Sequence, residues 1–359
     1  MNIFEERIQK LNALLSGKVD SALITDDINR RYLTGMKSSA GYVLVFPEES
    51  ILIIDSRYIE RARQVVKHCK VIEQDMKVLK QIATLLKEHN AKSCALESMS
   101  LTMSRAANFL KIKGVQFLAD DTLSQALYDL RTVKTPDEIE KIKSAQRLAE
   151  DALDNLLQKL CVGMTERDVA LELDFYMRKH GAEDLSFETI ALTGAHTSMP
   201  HGVPDDRQVQ KNDFVLMDFG AVVDGYHSDM TRTVCVGNPT DEMSKVYSIV
   251  RNAQDTARAF AKEGVTGQEL DAIARKIISD AGYGDYFGHS LGHGVGLEIH
   301  EFPVASPSGS SKMQRGNVVT IEPGIYLPEK FGVRIEDFVQ ITENGCENLT
   351  NIPNTLICL

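Results

Sequence analysis

The stretch FGHSLGHGVGLEIHE, residues 287–301, carries three of the chain's histidines, His289, His293 and His300. His289 and His293 are spaced as i and i+4, which on a helix would direct both imidazoles to one zinc ion. The glycines between and around them make a helix unfavourable. The stretch therefore predicts a loop, whose histidines either act in a site or are ordinary polar residues of a glycine-rich turn.

Two apolar strand patterns elsewhere lead to carboxylates. KNDFVLMDFG contains Asp218 near its end, and RGNVVTIEPG contains Glu322 at the matching place. A second acid follows each of them, Asp229 in GYHSDMTRT and Glu336 in VRIEDFV. Burying four such acids together is costly unless cations compensate their charge.

Adding His293 to the four acids gives a set with one imidazole and many carboxylate oxygens. Such a set suits two divalent ions such as manganese, iron(II) or cobalt better than one structural zinc, which prefers thiolates and imidazoles. Bridging carboxylates hold two ions about 3.5–4 Å apart in hydrolytic two-metal sites. The sequence therefore predicts a dinuclear site whose ligands are Asp218, Asp229, His293, Glu322 and Glu336.

An internal duplication relates these acids to one another. GMTERDV matches GVTGQEL further along the chain, and in each copy a threonine, Thr165 or Thr266, precedes an acid by three positions. That spacing is a helix-start signal. HGVP, which begins at His201, has its counterpart in HEFP, which begins at His300. Two related halves thus each supply two carboxylates and one histidine of this kind.

The first third of the chain alternates short apolar strands with amphipathic helices. YVLVF and ILIID, joined by PEES, predict a hairpin, and DSALIT and SCALE predict further strands. Helical patterns fill residues 3–16, 57–67, 77–90 and 101–113. These elements predict a compact α/β domain.

A domain boundary is predicted at RTVKTPDEIEKI. Thr135 can cap a helix, Pro136 suits its first position and Glu138 completes a capping box. We therefore expect one domain over residues 1–131 and a second over residues 132–359.

Composition excludes several functions. The net charge of −11 argues against nucleic-acid or anionic-membrane binding, because both use basic patches. MNIFEERIQK has acids where a signal peptide needs positive charge, and no apolar stretch is long enough to span a bilayer. The 6 cysteines have no CxxC spacing, which is typical of reduced thiols and favours a cytoplasmic location.

HGVP, MDFGAVVDGYHSDMTRT, GHSLGHGVGLEIHE, TIEPGIY and VRIED together resemble the signature blocks of the pita-bread metallopeptidases that cleave Xaa-Pro bonds, the aminopeptidase P and prolidase family. The resemblance covers essentially the whole chain. It implies an α+β protein in which a creatinase-like α/β N-terminal domain precedes a pseudo-twofold pita-bread catalytic domain.

The resemblance implies a role for each ligand position. Asp218 chelates one ion, His293 and Glu322 bind the other, and Asp229 and Glu336 bridge the two. Glu322 also acts as general base. The expected ions are Mn²⁺, with Co²⁺, Fe²⁺ and Zn²⁺ as alternatives.

The resemblance also implies residues that contact substrate. His201 and His300 match the histidines that hydrogen-bond the peptide and stabilise the tetrahedral intermediate. Arg334 matches an arginine that supports the site, and His289 either helps to form the pocket or is only a core-facing hydrogen bonder. Arg57, in DSRYIERA, matches an arginine that reaches a neighbouring subunit's site, although an arginine at a helix start is usually solvated.

The remaining polar residues of interest receive structural or surface roles. Residues inside the blocks are expected to support the site rather than to react: Asp224, His227, Arg232 and Asp337. The histidines without a partner pattern are expected at the surface: His68, His89, His180 and His196.

The leading prediction is an Xaa-Pro aminopeptidase acting on proline-containing peptides as a homodimer, and a prolidase restricted to Xaa-Pro dipeptides is the alternative. Methionine aminopeptidases share the ligands but do not explain the N-terminal domain. Creatinase shares that domain but works without metal. A non-catalytic pita-bread binding protein is disfavoured by the complete ligand set.

Overall fold

The computed structural model describes residues 2–359 of the chain, which divides into two compact units. The first unit ends at Arg131, and the second runs from Thr132 to Leu359. Among the described residues, no helix is both long enough and apolar enough to cross a membrane.

The first unit is an α/β domain built on one six-stranded sheet of order β4-β3-β2-β1-β5-β6. Its elements in chain order are α1 (Ile3–Leu15), β1 (Ala22–Ile24), α2 (Asp27–Thr34), β2 (Tyr42–Val45), β3 (Ser50–Ile54), α3 (Ile59–Val65), β4 (Lys70–Glu73), α4 (Val78–Glu88), β5 (Ser93–Leu96), α5 (Met103–Phe109), β6 (Gln116–Leu118) and α6 (Thr122–Thr132).

The central strands of this sheet are those that the apolar patterns predicted. β2 and β3 form the predicted antiparallel hairpin, with Tyr42 opposite Ile53 and Val45 opposite Ser50. β1 and β5 lie within DSALIT and SCALE and pair in parallel. The edge strands β4 and β6 were not predicted, because they are half-exposed and carry no continuous apolar run.

The first half of the second unit packs two helices against antiparallel strands. Its elements are α7 (Pro136–Leu157), α8 (Glu166–Lys179), β7 (Asp184–Leu185), β8 (Ile190–Thr193), a 3₁₀ turn (Gly194–Ser198), β9 (Asp213–Phe219), β10 (Ala221–Val223), β11 (Tyr226–His227) and β12 (Met230–Val236). β9 lies between β8 and β12. Leu153, Leu173 and Met217 are fully buried between the helices and the sheet.

The second half repeats this plan. Its elements are α9 (Asp241–Phe260), α10 (Gly267–Asp280), a 3₁₀ turn (Gly284–Tyr286), β13 (Gly292–Gly294), β14 (Glu301–Ala305), β15 (Val318–Ile321), β16 (Gly324–Leu327), β17 (Phe331–Arg334), β18 (Asp337–Ile341) and β19 (Cys346–Asn348). β15 pairs with β18 antiparallel, as β9 pairs with β12. A separate apolar cluster covers α9 and α10 on the sheet side.

Local signals explain where the helices of both halves begin. Thr165 caps α8 and Thr266 caps α10, each in a capping box whose acid is three positions on. Each threonine also forms a β-bridge, Thr165 to Gln208 and Thr266 to Lys312. The predicted capping box at Thr135 likewise starts α7, with Pro136 at its first position. The duplication in sequence is therefore a duplication in structure.

A buried ion pair joins the two halves. Arg232 of β12 donates to Asp337 of β18 at 2.7 Å, and each side chain is 1% exposed. Gln254 and Arg258 of α9 donate to the other oxygen of Asp337, at 2.8 and 3.0 Å. Arg232 and Asp337 therefore have the structural role that the sequence predicted.

Candidate active site

Four carboxylates of the second unit come from the ends of strands in both halves. Asp218 is the penultimate residue of β9, and Asp229 immediately precedes β12. Glu322 immediately follows β15, and Glu336 immediately precedes β18. Asp218, Asp229 and Glu336 are buried, and Glu322 is half-buried. The repeated plan thus places two acids from each half beside each other.

Thr231 ties the acids of the two halves together. It lies directly opposite Asp218 in the β9–β12 ladder. Its hydroxyl donates to Glu336 Oε2 at 2.7 Å, and the Glu336 amide donates to the Thr231 carbonyl at 3.1 Å. The position of Glu336 is therefore set by the strand that follows Asp229.

Arg334 is the guanidinium bonded to this cluster, and all three of its nitrogens donate to protein atoms. Nη2 donates to Asp218 Oδ2 at 2.6 Å, Nε to the Thr231 hydroxyl at 3.0 Å, and Nη1 to the Tyr326 hydroxyl at 2.8 Å. Nη1 also donates to the Pro200 carbonyl at 3.3 Å. Arg334 compensates one carboxylate and fixes the cluster.

His293 faces the acids from β13 in its neutral form. Nδ1 lies 3.0 Å from the Gly294 carbonyl, and because a carbonyl only accepts, Nδ1 carries the proton. Nε2 lies 3.5 Å from both Asp229 Oδ2 and Glu322 Oε1. Burial and then His300 lower the pKa of His293 to about 4. A neutral imidazole with its lone pair towards carboxylates is the form that binds a divalent ion.

The glycine before His293 allows β13 to approach β15 closely. A Cβ at Gly292 would lie 2.1 Å from the Thr320 carbonyl oxygen, so any residue other than glycine would clash with the backbone of β15. The Thr320 hydroxyl accepts from the His293 amide at 3.0 Å and contacts Glu322 Oε1 at 3.2 Å. The glycine-rich stretch is not a helix, as the sequence predicted; it is a loop that contains one short strand, β13, which was not predicted and whose backbone approaches β15 closely.

The residues present fit divalent cations. Burial raises the pKa of Glu322 to about 8 and raises the pKa of Asp229 and Glu336 well above the usual range. The neighbouring acids raise these pKa values further. Asp218 Oδ1 is buried without a hydrogen-bond partner among residues 2–359. Ligand atoms of Asp229, His293 and Glu336 all lie within 4.8 Å of one another. The set lacks positive charge that cations would supply.

His201 and His300 flank this cluster on loops from opposite halves. Both are exposed, His201 after the first 3₁₀ turn and His300 directly before β14. The His300 ring lies 4.3 Å from the His293 ring, edge to face. Partial desolvation lowers the pKa of His300, and His201 lowers it further, so the two histidines lie in one electrostatic environment.

His289 lies behind the cluster, with both ring nitrogens bonded to protein. Nδ1 donates to the Ser290 carbonyl at 2.8 Å, and Nε2 lies 2.9 Å from the Tyr326 hydroxyl. Burial, followed by Arg334, lowers the pKa of His289 to about 4. A chain of hydrogen bonds thus runs from His289 through Tyr326 and Arg334 to Asp218. This geometry fits the core-facing alternative, and substrate contact by His289 stays a prediction.

Arg57 belongs to the first unit, where it follows β3. Its side chain is 65% exposed and donates to Asp55 through Nε at 3.2 Å and through Nη2 at 2.6 Å. Such an exposed ion pair with an acid two positions away is an ordinary surface contact. Its role in a neighbouring subunit's site stays a prediction.

Sequence patterns missed several residues that hold the site together. Tyr326, Thr231 and Thr320 lie within strand patterns that carry no separate signal. His196, which we expected at the surface, has a side chain only 10% exposed and lies 2.8 Å from buried Glu166. That expectation was wrong because no sequence spacing relates His196 to a partner on a distant helix.

Comparison with known proteins agrees with this geometry. The family model of metallopeptidase family M24 matches residues 140–343, and that of the Creatinase/Prolidase N-terminal domain matches residues 7–133. The Xaa-Pro dipeptidase of Pyrococcus furiosus is 38% identical over 355 residues, which cover 98% of this chain and 100% of that protein.

Two solved structures have the same fold over nearly the whole chain. The Xaa-Pro dipeptidase from Bacillus anthracis has a TM-score of 0.95 at 37% identity, covering 99% of this chain and 100% of that one. The X-Pro aminopeptidase from Thermotoga maritima has a TM-score of 0.90 at 38% identity, covering 95% of this chain and 98% of that one.

The duplicated fold and its buried carboxylates and imidazole define a pita-bread metallopeptidase, as the signature blocks indicated. The chain belongs to metallopeptidase family M24, with a Creatinase/Prolidase N-terminal domain before the catalytic one. It is therefore a metal-dependent hydrolase of peptide bonds.

Proposed function

We propose that the protein is an Xaa-Pro aminopeptidase, which removes the N-terminal residue from peptides whose second residue is proline. The main support is the pairing, in one place, of five candidate metal ligands with His201 and His300 from symmetry-related loops. The relatives named as Xaa-Pro peptidases over the full chain length support the same bond specificity.

The ligand set proposed from the sequence has the chemistry for two divalent ions. Two such ions would lower the pKa of an attacking water and polarise the scissile carbonyl. Manganese is the expected metal, since carboxylate oxygens dominate the set. The residues that would hold the ions are Asp218, Asp229, His293, Glu322 and Glu336.

The chain's own side chains divide the remaining work. Glu322 accepts a proton from the attacking water and delivers it to the leaving proline nitrogen, as a general base and then acid. His201 and His300 hold the peptide and donate hydrogen bonds to the carbonyl oxygen as it gains charge. Proline has no N–H, so its recognition must not depend on a donor from the second residue.

The state of Arg334 favours peptides longer than two residues. A dipeptidase needs a cation beside the proline carboxylate. Arg334 is buried beside the cluster, yet its three nitrogens already donate to Asp218, Thr231 and Tyr326. Four of its five N–H groups therefore already donate to the protein, which leaves it poorly suited to the bidentate capture of a substrate carboxylate. The segment DSRYIERA, which resembles aminopeptidase P, favours the same preference.

The second candidate is an Xaa-Pro dipeptidase. Its support is the name of the Pyrococcus furiosus relative and of the Bacillus anthracis structure, both matched over 98% or more of this chain. Such an enzyme would also need a cation for the proline carboxylate, a role for which Arg334 has only one N–H group beyond its bonds to the protein.

The test compares Ala-Pro with Ala-Pro-Ala, using enzyme supplied with Mn²⁺ or Co²⁺ and Ala-Ala-Ala as the control without proline. We expect kcat/KM to be higher for Ala-Pro-Ala, and the control to be cleaved poorly. A clear preference for Ala-Pro would make the protein a prolidase. Equal cleavage of Ala-Ala-Ala would reject proline specificity altogether.

A further inference from the structure

The loop that carries His201 is closed at its base by one buried carboxylate, that of Glu166. The Thr193 amide donates to Glu166 Oε1 at 2.8 Å, and the Asp205 amide, beyond His201, donates to Oε2 at 3.1 Å. His196 Nδ1 lies 2.8 Å from both oxygens. Glu166 therefore holds the start, the middle and the end of the loop.

We infer that Glu166 is a positioning residue for His201, which acts by fixing the loop 193–205 against helix α8. This inference rests on the proposed function, because His201 is a proposed substrate contact. Glu166 itself lies beneath the loop and is bonded to its backbone and to His196, so it acts through the loop.

The helix makes Glu166 a rigid anchor. Glu166 is the first residue of α8, directly after the Thr165 cap, and is 1% exposed. An acid at a helix N-terminus is favoured by the helix dipole. The backbone adds two more links, since the Glu166 amide donates to Arg207 and the Arg167 amide donates to Asp205, at 2.9 and 3.1 Å. The loop base is thus fixed to α8.

The other side of the loop is attached to the metal-binding cluster. The Gly332 amide donates to the Thr197 hydroxyl at 2.7 Å, and Arg334 donates to the Pro200 carbonyl at 3.3 Å. The loop therefore spans α8 and β17, and His201 immediately follows its last attachment. A loop released at its base would leave His201 held on one side alone.

The second half of the domain shows what Glu166 replaces. Gly267 occupies the position of Glu166 in the duplicated motif, and a Cβ there would lie 2.0 Å from the Val304 carbonyl oxygen. In the second half, the backbone of β14, the strand after His300, therefore packs directly against the first residue of α10. In the first half the Glu166 carboxylate fills the corresponding gap and adds side-chain bonds to the backbone links at the loop base.

Glu166, His196 and Asp205 also have the composition of a cation site. The Glu166 oxygens already accept from three N–H groups, and Asp205 Oδ1 accepts from the Arg207 amide at 2.7 Å. Both Glu166 oxygens and Asp205 Oδ1 thus already accept from the protein. We therefore assign the group a positioning role rather than a metal.

The test is Glu166→Gln in the metal-loaded enzyme, with Asp168→Asn as the matched control. Asp168 is an exposed acid of the same helix turn that bonds only to the Thr165 cap. We expect kcat on the Xaa-Pro substrate to fall about 10- to 100-fold for Glu166→Gln, the scale of a misplaced catalytic group. Bound metal should not change, and Asp168→Asn should stay within about twofold, because it leaves the loop's bonds to Glu166 intact.

A double variant separates positioning from general destabilisation. If Glu166 acts through His201, Glu166→Gln combined with His201→Ala should be no slower than His201→Ala alone. A full multiplicative loss, or loss of metal in Glu166→Gln, would overturn the inference. His196→Gln provides the same comparison if Glu166→Gln does not fold. A wild-type enzyme that cleaves no Xaa-Pro substrate would instead reject the proposed function.

Discussion

Asp229 and Glu336 are the two most deeply buried acids of the cluster, and each comes from a different half. We predict that Asp229→Asn or Glu336→Gln abolishes peptidase activity and lowers the bound metal, because each residue, as a proposed bridge, would hold both ions. Metal analysis of the purified variants, with Asp224→Asn as control, checks this. Asp224 is an exposed acid in a turn with φ 51°, a conformation that asparagine tolerates. Full activity in a thoroughly chelated sample would contradict the prediction.

His201 and His300 should differ from the ligands in what their loss removes. We predict that His201→Ala or His300→Ala lowers kcat about 10²- to 10³-fold, the loss typical of one oxyanion-type donor. Bound metal should remain near the wild-type level, because neither imidazole belongs to the proposed ligand set. Parallel measurement of kcat and metal content separates the two effects. Loss of both ions from either variant would show that the ligands are wrongly assigned.

The cysteines should differ in their rate of alkylation according to how deeply each is buried. Burial raises the pKa of Cys69 and Cys94 to about 12, whereas Cys161 and Cys358 are exposed. Only the thiolate is alkylated, so a raised pKa and a buried sulfur both slow the reaction. At pH 8 we expect iodoacetamide to label Cys161 and Cys358 first in the native protein, as read by mass spectrometry. Equal labelling in urea is the control, and rapid native labelling of Cys94 would contradict the prediction.

At the residue scale, sequence predicted the acids well because each ends an apolar strand pattern and recurs in the duplicate. The residues that hold these acids and the nearby loop in place could not be predicted in this way. Tyr326 of β16 and Thr231 of β12 are linked only because both accept from Arg334 of β17. His196 meets Glu166 although helix α8 and the strands β7 and β8 separate the two in sequence. No local spacing records such contacts, since they depend on how the elements pack.

At the element scale, the segment that leads into the catalytic unit carries a buried ion pair. Lys134 Nζ lies 2.8 Å from Glu301 Oε2, with side chains 1% and 2% exposed. Glu301 directly follows His300 and begins β14. The pair therefore fixes the start of β14, directly after His300.

We predict that Lys134→Met destabilises the protein by about 3–5 kcal/mol, because it leaves the Glu301 carboxylate buried without its cation. The matched control is Lys141→Met, which removes a partner of Asp137 that is 59% exposed and should cost about 0–1 kcal/mol. Urea unfolding of both variants measures the difference. Equal, small losses for the two variants would show that the pair contributes little.

Elements were predictable where a single local signal decides them. The hairpin of β2 and β3 follows from two apolar runs and a turn, and α7 follows from its capping box. β4 and β6 were missed because edge strands bury little and need no apolar alternation. Their pairing is decided by the neighbouring strand, which sequence patterns do not record.

At the scale of the whole molecule, the duplication yields one site from two halves. β9 and β12 supply Asp218 and Asp229, and the strands around β15 and β18 supply Glu322 and Glu336. The motifs predicted this pairing, because each half alone has too few ligands for two ions. Neither half could therefore work without the other.

The buried pair of Arg232 and Asp337 has a consequence for how the catalytic unit opens. Separation of the halves would break the bonds that Arg232 of the first half donates to the Asp337 carboxylate and to the Glu336 carbonyl of the second half. We predict that amides of β12 and β18 exchange with solvent deuterium only through one shared opening. Native-state hydrogen exchange in increasing denaturant checks this, with β19, a half-exposed edge strand, as the internal comparison. Two separate exchange isotherms for β12 and β18 would mean that each half unravels on its own, as an independent lobe.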